Sequence, residues 1–131
     1  MARVTGIGGV FFKTRGDPVA LAAWYRDALG LELEPWGGAV LRWHGDARTD
    51  GGLTVWHLAA ADSTWFAPSD APLMVNYRVD DMDGILARLA QAGTPAFKGP
   101  ETEPNGRFAW VLDPDGNKVE LWEPKPWENK G

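Results

Sequence analysis

Apolar and polar positions along this chain repeat one pattern twice. Residues 4–13 (VTGIGGVFFK) are apolar and β-branched or aromatic, the composition of a strand. Asp17-Pro18 then makes a helix start, with Asp as the cap and Pro at the first helical position. Leu21, Trp24, Tyr25, Ala28 and Leu29 recur at helical spacing, and Gly30 ends the run. Three extended pieces follow at 31–36, 39–44 and 53–58, separated by Gly37-Gly38 and by the polar stretch 45–52. After a link at 59–71 the pattern restarts. Residues 72–79 (PLMVNYRV) read as a strand, and Asp80-Asp81 caps a second helix with Met82, Ile85, Leu86 and Leu89 as its stripe. Gly93 ends that helix, and strands are predicted at 94–97, 107–112 and 118–122. Each half is therefore strand, helix, then three strands. Neither half can bury both faces of its own sheet, whereas two copies side by side with the helices outside can, leaving a concave inner face. The expected layout is one α+β domain spanning 1–131, with module one at about 4–58, a linker at 59–71, module two at about 72–124 and a polar tail at 125–131 in which Trp127 is a possible anchor.

The closing segment 108–124 (FAWVLDPDGNKVELWEP) is the most specific part of the pattern. Asp113-Pro114-Asp115-Gly116 has the residues of a type I turn, with Gly116 free to take positive φ. A loop of Pro114 to Gly116 closed by a glycine bulge sets Asp113 against Asn117, Val111 against Val119 and Trp110 against Glu120. Alternation then places Ala109, Val111, Val119 and Leu121 on a face suited to a helix, and Phe108, Trp110, Glu120 and Trp122 on the other. That second face is aromatic with one carboxylate set in it.

Composition narrows the chemistry. The net charge of −5 argues against nucleic-acid binding, which needs a basic stripe. The absence of cysteine excludes disulfide stapling, thiolate catalysis and Cys-ligated zinc. No basic segment followed by an apolar stretch opens the sequence, and no apolar run approaches membrane-spanning length, so a soluble, cytoplasmic protein with no membrane partner is the expectation. Eight tryptophans are unusual for this length; they fit either a core of large side chains or an aromatic ligand pocket. The glycine pairs Gly8-Gly9, Gly37-Gly38 and Gly51-Gly52 do not open a helix after a strand and make no nucleotide loop. His44 and His57 lie at strand ends, in no metal-ligand spacing with another His or Cys.

The helix segment WYRDALGL and the hairpin LDPDGNKVEL, in this order and spacing, resemble the vicinal oxygen chelate superfamily of glyoxalases, bleomycin-resistance proteins and extradiol dioxygenases. The resemblance runs from about Val4 to Pro124 and implies two βαβββ modules that form a cup, commonly in a homodimer, sometimes with each cup built from modules of two chains. It also implies four inward positions that hold a divalent ion in the metal-dependent members. Those positions match Gly9, Met74, Glu120 and, by alternation in 53–57, Thr54; a one-residue slip would bring in His57. Only Glu120, with His57 after such a slip, is a ligand type of that family, short of the three protein ligands of a catalytic zinc. No cofactor is therefore expected.

The same alternation completes the expected lining. Phe11 comes from the first strand; Thr54 and Trp56 come from the fourth; Met74, Asn76 and Arg78 open module two; Phe108, Trp110, Glu120 and Trp122 close it. Such an apolar wall with a few polar groups suits a small organic ligand. Glu120 is the candidate general base or acid, or else a charge partner of Arg78, or a carboxylate that only hydrogen-bonds. Arg78 with Asn76 could clamp a ligand carboxylate or phenolate, or join an inter-strand salt bridge. The tryptophans could stack on a planar ligand, fill core, or pack at a dimer interface. Three functions follow: metal-independent binding of an aromatic or amphipathic molecule; a lyase, isomerase or dioxygenase, either metal-dependent or with Glu120 as base and Arg78 stabilising an oxyanion; or an interaction domain whose aromatic face is buried between subunits.

Overall fold

The computed structural model describes residues 2–3, 7–46 and 53–125. Helix α1 (Pro18–Leu29) begins where its cap requires: the Asp17 carboxylate accepts from the Val19 N–H, and Pro18 occupies the first turn. It stops at Gly30, whose φ of 77° only glycine adopts without strain. A side chain there would also meet the Arg88 guanidinium, which donates to the Asp27 and Arg26 carbonyls and so satisfies the open end of α1. Helix α2 (Trp43–Asp46) is a single turn. Helix α3 (Met82–Gln91) is capped by Asp81, which accepts from the Gly84 N–H. Arg88 lies on α3, so one side chain both caps α1 and ties the two helices together.

Four strands make one sheet: β1 (Val75–Arg78), β2 (Lys98–Glu103), β3 (Gly106–Leu112) and β4 (Lys118–Pro124), in the order β1-β4-β3-β2. β1 runs parallel to β4, and the other two pairs are antiparallel. With α3 between β1 and β2 this is the strand, helix and three strands expected of the second module. The hairpin register is the expected one, with Val111 opposite Val119 and Trp110 opposite Glu120. The turn closes through the Gly116 N–H on the Asp113 carbonyl, with Gly116 at φ 83°. The second strand of the module lies later than expected, at Lys98–Glu103 instead of 94–97. The stretch KGPETE looks like a loop because of Gly99 and Pro100. Pairing with β3 overrides that local preference, and a bulge between Lys98 and Glu101 absorbs both residues at the sheet edge.

Helices α1 and α3 pack on one face of the sheet. Leu21, Tyr25 and Ala28 of α1 and Met82 and Leu89 of α3 close on Ala109, Val111, Val119 and Leu121. These are the four residues that alternation assigned to the helix side. Each large apolar side chain removed from water here contributes roughly 1.5–3 kcal/mol.

All four strands among the described residues belong to the second module. Among the described residues, the expected strands at 7–13, 31–36, 39–44 and 53–58 do not join the sheet; Leu33 and Ala39 form one isolated bridge. Apolar composition favours an extended chain, but a strand exists only where a neighbour completes its hydrogen bonds. Phe11 is accordingly 93% exposed. The start of the first expected strand at 4–6, the pair Gly51-Gly52 and the tail from 126 with Trp127 lie outside the described residues. No helix among the described residues is long and apolar enough to cross a membrane.

Besides the core and the Arg88 tie, the hairpin turn holds the first half to the second. Asp113, 4% exposed, accepts from the Tyr25 hydroxyl at 2.8 Å, from the Asp115 and Asn117 N–H groups and from the Asn117 side-chain amide. Asp115 accepts from the Arg15 N–H and the Thr14 hydroxyl, which hold its carboxyl below the usual range. Burial above all, then Tyr77 and the Asp113 charge, raises the Tyr25 hydroxyl far above its ordinary pKa. Tyr77 is raised too, mainly by burial.

These phenols predict an alkaline weakness. A phenol raised on folding stays protonated in the native state while the unfolded chain ionises above about pH 10. Its stabilisation is complete below that pH and declines above it by about 1.4 kcal/mol per pH unit. Tyr25→Phe should cost about 1–3 kcal/mol at pH 7, through loss of a buried donor to a carboxylate. It should also flatten the decline above pH 10, with Tyr77 supplying what remains. Urea unfolding from pH 7 to 11 measures both; an unchanged alkaline slope would assign the weakness elsewhere.

Candidate functional site

The face opposite the helices carries the chemistry, and strand register decides which residues reach it. Asn76 lies opposite Glu120 and Arg78 opposite Trp122, while Val75 and Tyr77 oppose the helix-facing Val119 and Leu121. Phe108 opposes Trp122, and Trp110 opposes Glu120. The open face thus gathers Asn76, Arg78, Phe108, Trp110, Glu120 and Trp122, six of the residues expected to line a cup. Met74 immediately precedes β1 and is half-buried.

Three of these rings form a ladder. Phe108 stacks on Trp122 with centroids 6.0 Å apart and on Trp110 at 6.3 Å, with planes within 17° of parallel. Trp122 is closed in, 4% exposed, with its indole N–H on the Asn105 carbonyl at 2.9 Å. Phe108 and Trp110 stay half-buried. The inner end of the ladder is therefore packing, and its Phe108–Trp110 end is available surface.

Glu120 sits beside that end. The Asn76 amide donates to Oε1 at 2.7 Å, and the Trp110 indole donates to Oε2 at 2.9 Å. Both donors are neutral and each takes one oxygen, so the carboxylate is fixed in place by an inter-strand network. Arg78 donates from Nη1 to the Leu53 carbonyl at 2.6 Å.

Two further side chains reach this face, Lys118 and Lys98, neither of them among the residues expected there. Lys118 is two residues before Glu120 and so shares its face; it is 8% exposed and donates to the Trp65 carbonyl at 2.7 Å. Its ammonium lies 5.9 Å from the Trp110 ring centroid and 5.7 Å from that of Phe97. Burial, and secondarily Lys98, lowers its pKa against the opposing pull of Glu120. Lys98 lies opposite Trp110, with its ammonium 4.8 Å from that ring. The β2 bulge brings it there: Lys98 pairs with Trp110 and Glu101 with Phe108, so residues three apart share a face.

The remaining expected residues are not brought to this face. Thr54, Trp56 and His57 are exposed in a segment without ladder partners, Trp56 at 71%. The His57 ring lies 5.6 Å from that of Trp65. Phe11 lies out in solvent. The main chain from 53 to 65 meets the face through the Leu53 carbonyl on Arg78 and the Trp65 carbonyl on Lys118, not through an inward row of side chains. The positions matched to metal ligands do not fit a divalent ion. Only Glu120 is an oxygen ligand of the right kind, and no three His, Cys, Asp or Glu side chains converge among the described residues.

The glyoxalase-like domain family model matches residues 9–122. TnmS3, an antibiotic-binding protein from Streptomyces sp. CB03234, aligns with a TM-score of 0.55 and 24% identity, over 93% of this chain and 100% of that one. A glyoxylase/bleomycin resistance protein/dioxygenase domain from Frankia sp. EAN1pec aligns at 0.57 and 17% identity, over 94% and 100%. A glyoxalase/bleomycin resistance protein from Streptomyces sp. CB03234 is 40% identical over 39% of this chain, with a TM-score of 0.36; that match spans 45% of its length, less than half. No curated protein matches the chain in sequence. The full-length likenesses establish the fold.

The contrast between tryptophans is open to test. Trp122→Phe removes a buried indole bond and leaves a void, and should cost about 1–3 kcal/mol. Trp56→Ala should change stability by no more than about 0.5 kcal/mol, as for an exposed side chain. Equal losses in chemical denaturation would place Trp56 in packed structure.

Proposed function

The chain belongs to the glyoxalase-like domain family, and from that premise we propose that it binds a small aromatic or amphipathic molecule without a metal. The observation that carries this reading is the ladder Trp122–Phe108–Trp110, which ends in half-buried rings beside a fixed carboxylate. A planar ligand would continue the ladder over Phe108 and Trp110, a geometry worth about 0.5–1.5 kcal/mol per ring pair beyond area burial. Glu120 and Asn76 would orient it from one side. Sequestration of a toxic compound or an antibiotic is the use this reading assigns, in line with the antibiotic binding of the Streptomyces protein that shares the fold.

The hydrogen bonds of Glu120 favour binding over proton abstraction. A general base needs a carboxylate oxygen within reach of the proton it takes. Here each oxygen already accepts a bond from the protein, which supports a positioning role. The donor set at the matched positions likewise supports metal independence. A homodimer and a cytoplasmic location complete the proposal.

The first measurement is metal content of the purified protein, together with divalent-metal and planar-aromatic titrations followed by tryptophan fluorescence. The expected result is no stoichiometric metal, no response to added metal and saturable quenching by the aromatic. Glu120→Gln should keep aromatic binding within about threefold, under 1 kcal/mol. Tight metal binding that disappears in Glu120→Ala would overturn metal independence.

A further inference from the structure

The open face holds two lysines where a face for neutral aromatics needs none. We propose that Lys98 and Lys118 form an anion seat around Trp110, and that the molecule this face takes is a planar aromatic bearing an acidic group. The proposal rests on the binding reading above and names the ligand class for it.

The two ammonium groups come from β2 and β4, on either side of the β3 residue Trp110, and both lie within 6 Å of its ring centroid. Each can rest against the ring through its quadrupole, but each also repels the other. The carboxylates nearby offset this only in part. Glu120 attracts Lys118 but has both oxygens on neutral donors, and Glu101 pairs with Lys98 at 4.0 Å, the limit of an ion pair, on the exposed edge strand. Lys118 is more than nine-tenths buried, yet among the described residues its one hydrogen bond goes to the Trp65 carbonyl. An ammonium has three donors, and buried donors call for partners. An anionic oxygen beside Trp110 would accept from Lys118 and offset the repulsion from Lys98, and the aromatic body attached to it would lie on Trp110 and Phe108. The other cation of the face is less suited to that task, because Arg78 Nη1 is engaged by the Leu53 carbonyl at the Trp122 end.

The placement of Lys98 reinforces the inference. Without the bulge at Gly99-Pro100, Lys98 and Glu101 would point to opposite faces. Gly99 has φ 88°, and a Cβ there would lie 2.7 Å from the Phe108 carbonyl oxygen, so only glycine fits. An irregularity this constrained delivers a lysine to the open face.

Two probes of one shape separate the possibilities: 2-naphthoate and 2-naphthamide, titrated calorimetrically into the intact protein at low and moderate salt. The expected result is a preference for the naphthoate of about tenfold or more, equivalent to about 1.4 kcal/mol, and weakened by salt. Lys98→Met and Lys118→Met should each reduce that preference and leave the naphthamide affinity unchanged. Lys98 is half-exposed, so its variant stays informative if burial of Met at 118 disturbs folding. Equal affinity for the two probes, or a preference that survives Lys98→Met, would overturn the anion seat and leave aromatic binding standing. Failure of both probes to bind would overturn the binding reading and the seat with it.

Discussion

The buried carboxylate of Asp113 is the constraint on which the rest of the structure depends. It closes its own turn through two backbone N–H groups and the Asn117 amide, and takes a fourth bond from Tyr25 on α1. Burying a charge is costly unless donors surround it. Four donors do so here, and they come from both halves of the chain. The turn fixes the β3–β4 register, and that register decides which residues face the helices and which face outward. A one-residue slip of β4 against β3 would drive Glu120 and Trp122 into the helix layer and expose Val119 and Leu121. A single satisfied acid therefore sets the dock for α1 and the chemistry of the opposite face.

The two faces divide the work. The helix side is dry and aliphatic, with Met82, Leu89, Val111, Val119 and Leu121 fully buried. The outer side holds stacked rings, one carboxylate tied to two neutral donors, and cations at each end. The carboxylate is fixed by cross-strand donors and the rings stack on strand neighbours, so the ladder and its carboxylate are preorganised. Preorganisation lowers the ordering cost of binding. It also limits Glu120, since its two donors hold both oxygens in one orientation.

Legibility in the sequence followed the locality of the forces. The caps at Asp17 and Asp81, the stops at Gly30 and Gly93 and the hairpin register were all readable, because each is set by residues within a few positions of one another. So were the two faces of β3 and β4, which rest on strict alternation. The second strand, β2, was not. Its ladder is imposed by β3 on a stretch with turn composition, and the bulge breaks the period-two rule that placed everything else. Lys98 was hidden by that bulge. Lys118 was visible in principle, two residues before Glu120, but a lysine is ordinarily assigned to solvent. The segments at 7–13 and 53–58 show the converse: strong strand composition with no partner to complete a ladder, so Phe11, Thr54 and Trp56 stand away from the face they were assigned to.

Family membership leaves the chemistry open, since one fold hosts many functions and the site must decide among them. Here the decision turns on what surrounds a single acid. With Gly9, Met74 and an exposed Thr54 at the other matched positions, the Glu120 carboxylate lacks companions for a hard cation. Its oxygens are instead given to an amide and an indole, which are poor at stabilising a metal and well suited to holding an orientation. The positive charge of the face then sits elsewhere, on lysines that flank Trp110. A surface whose acid is bonded to neutral donors, and whose bases lie beside an exposed ring, is complementary to an anion carried on an aromatic plane. The protein's overall negative charge strengthens that selectivity, because such a ligand is repelled by most of the surface and accepted where the lysines are.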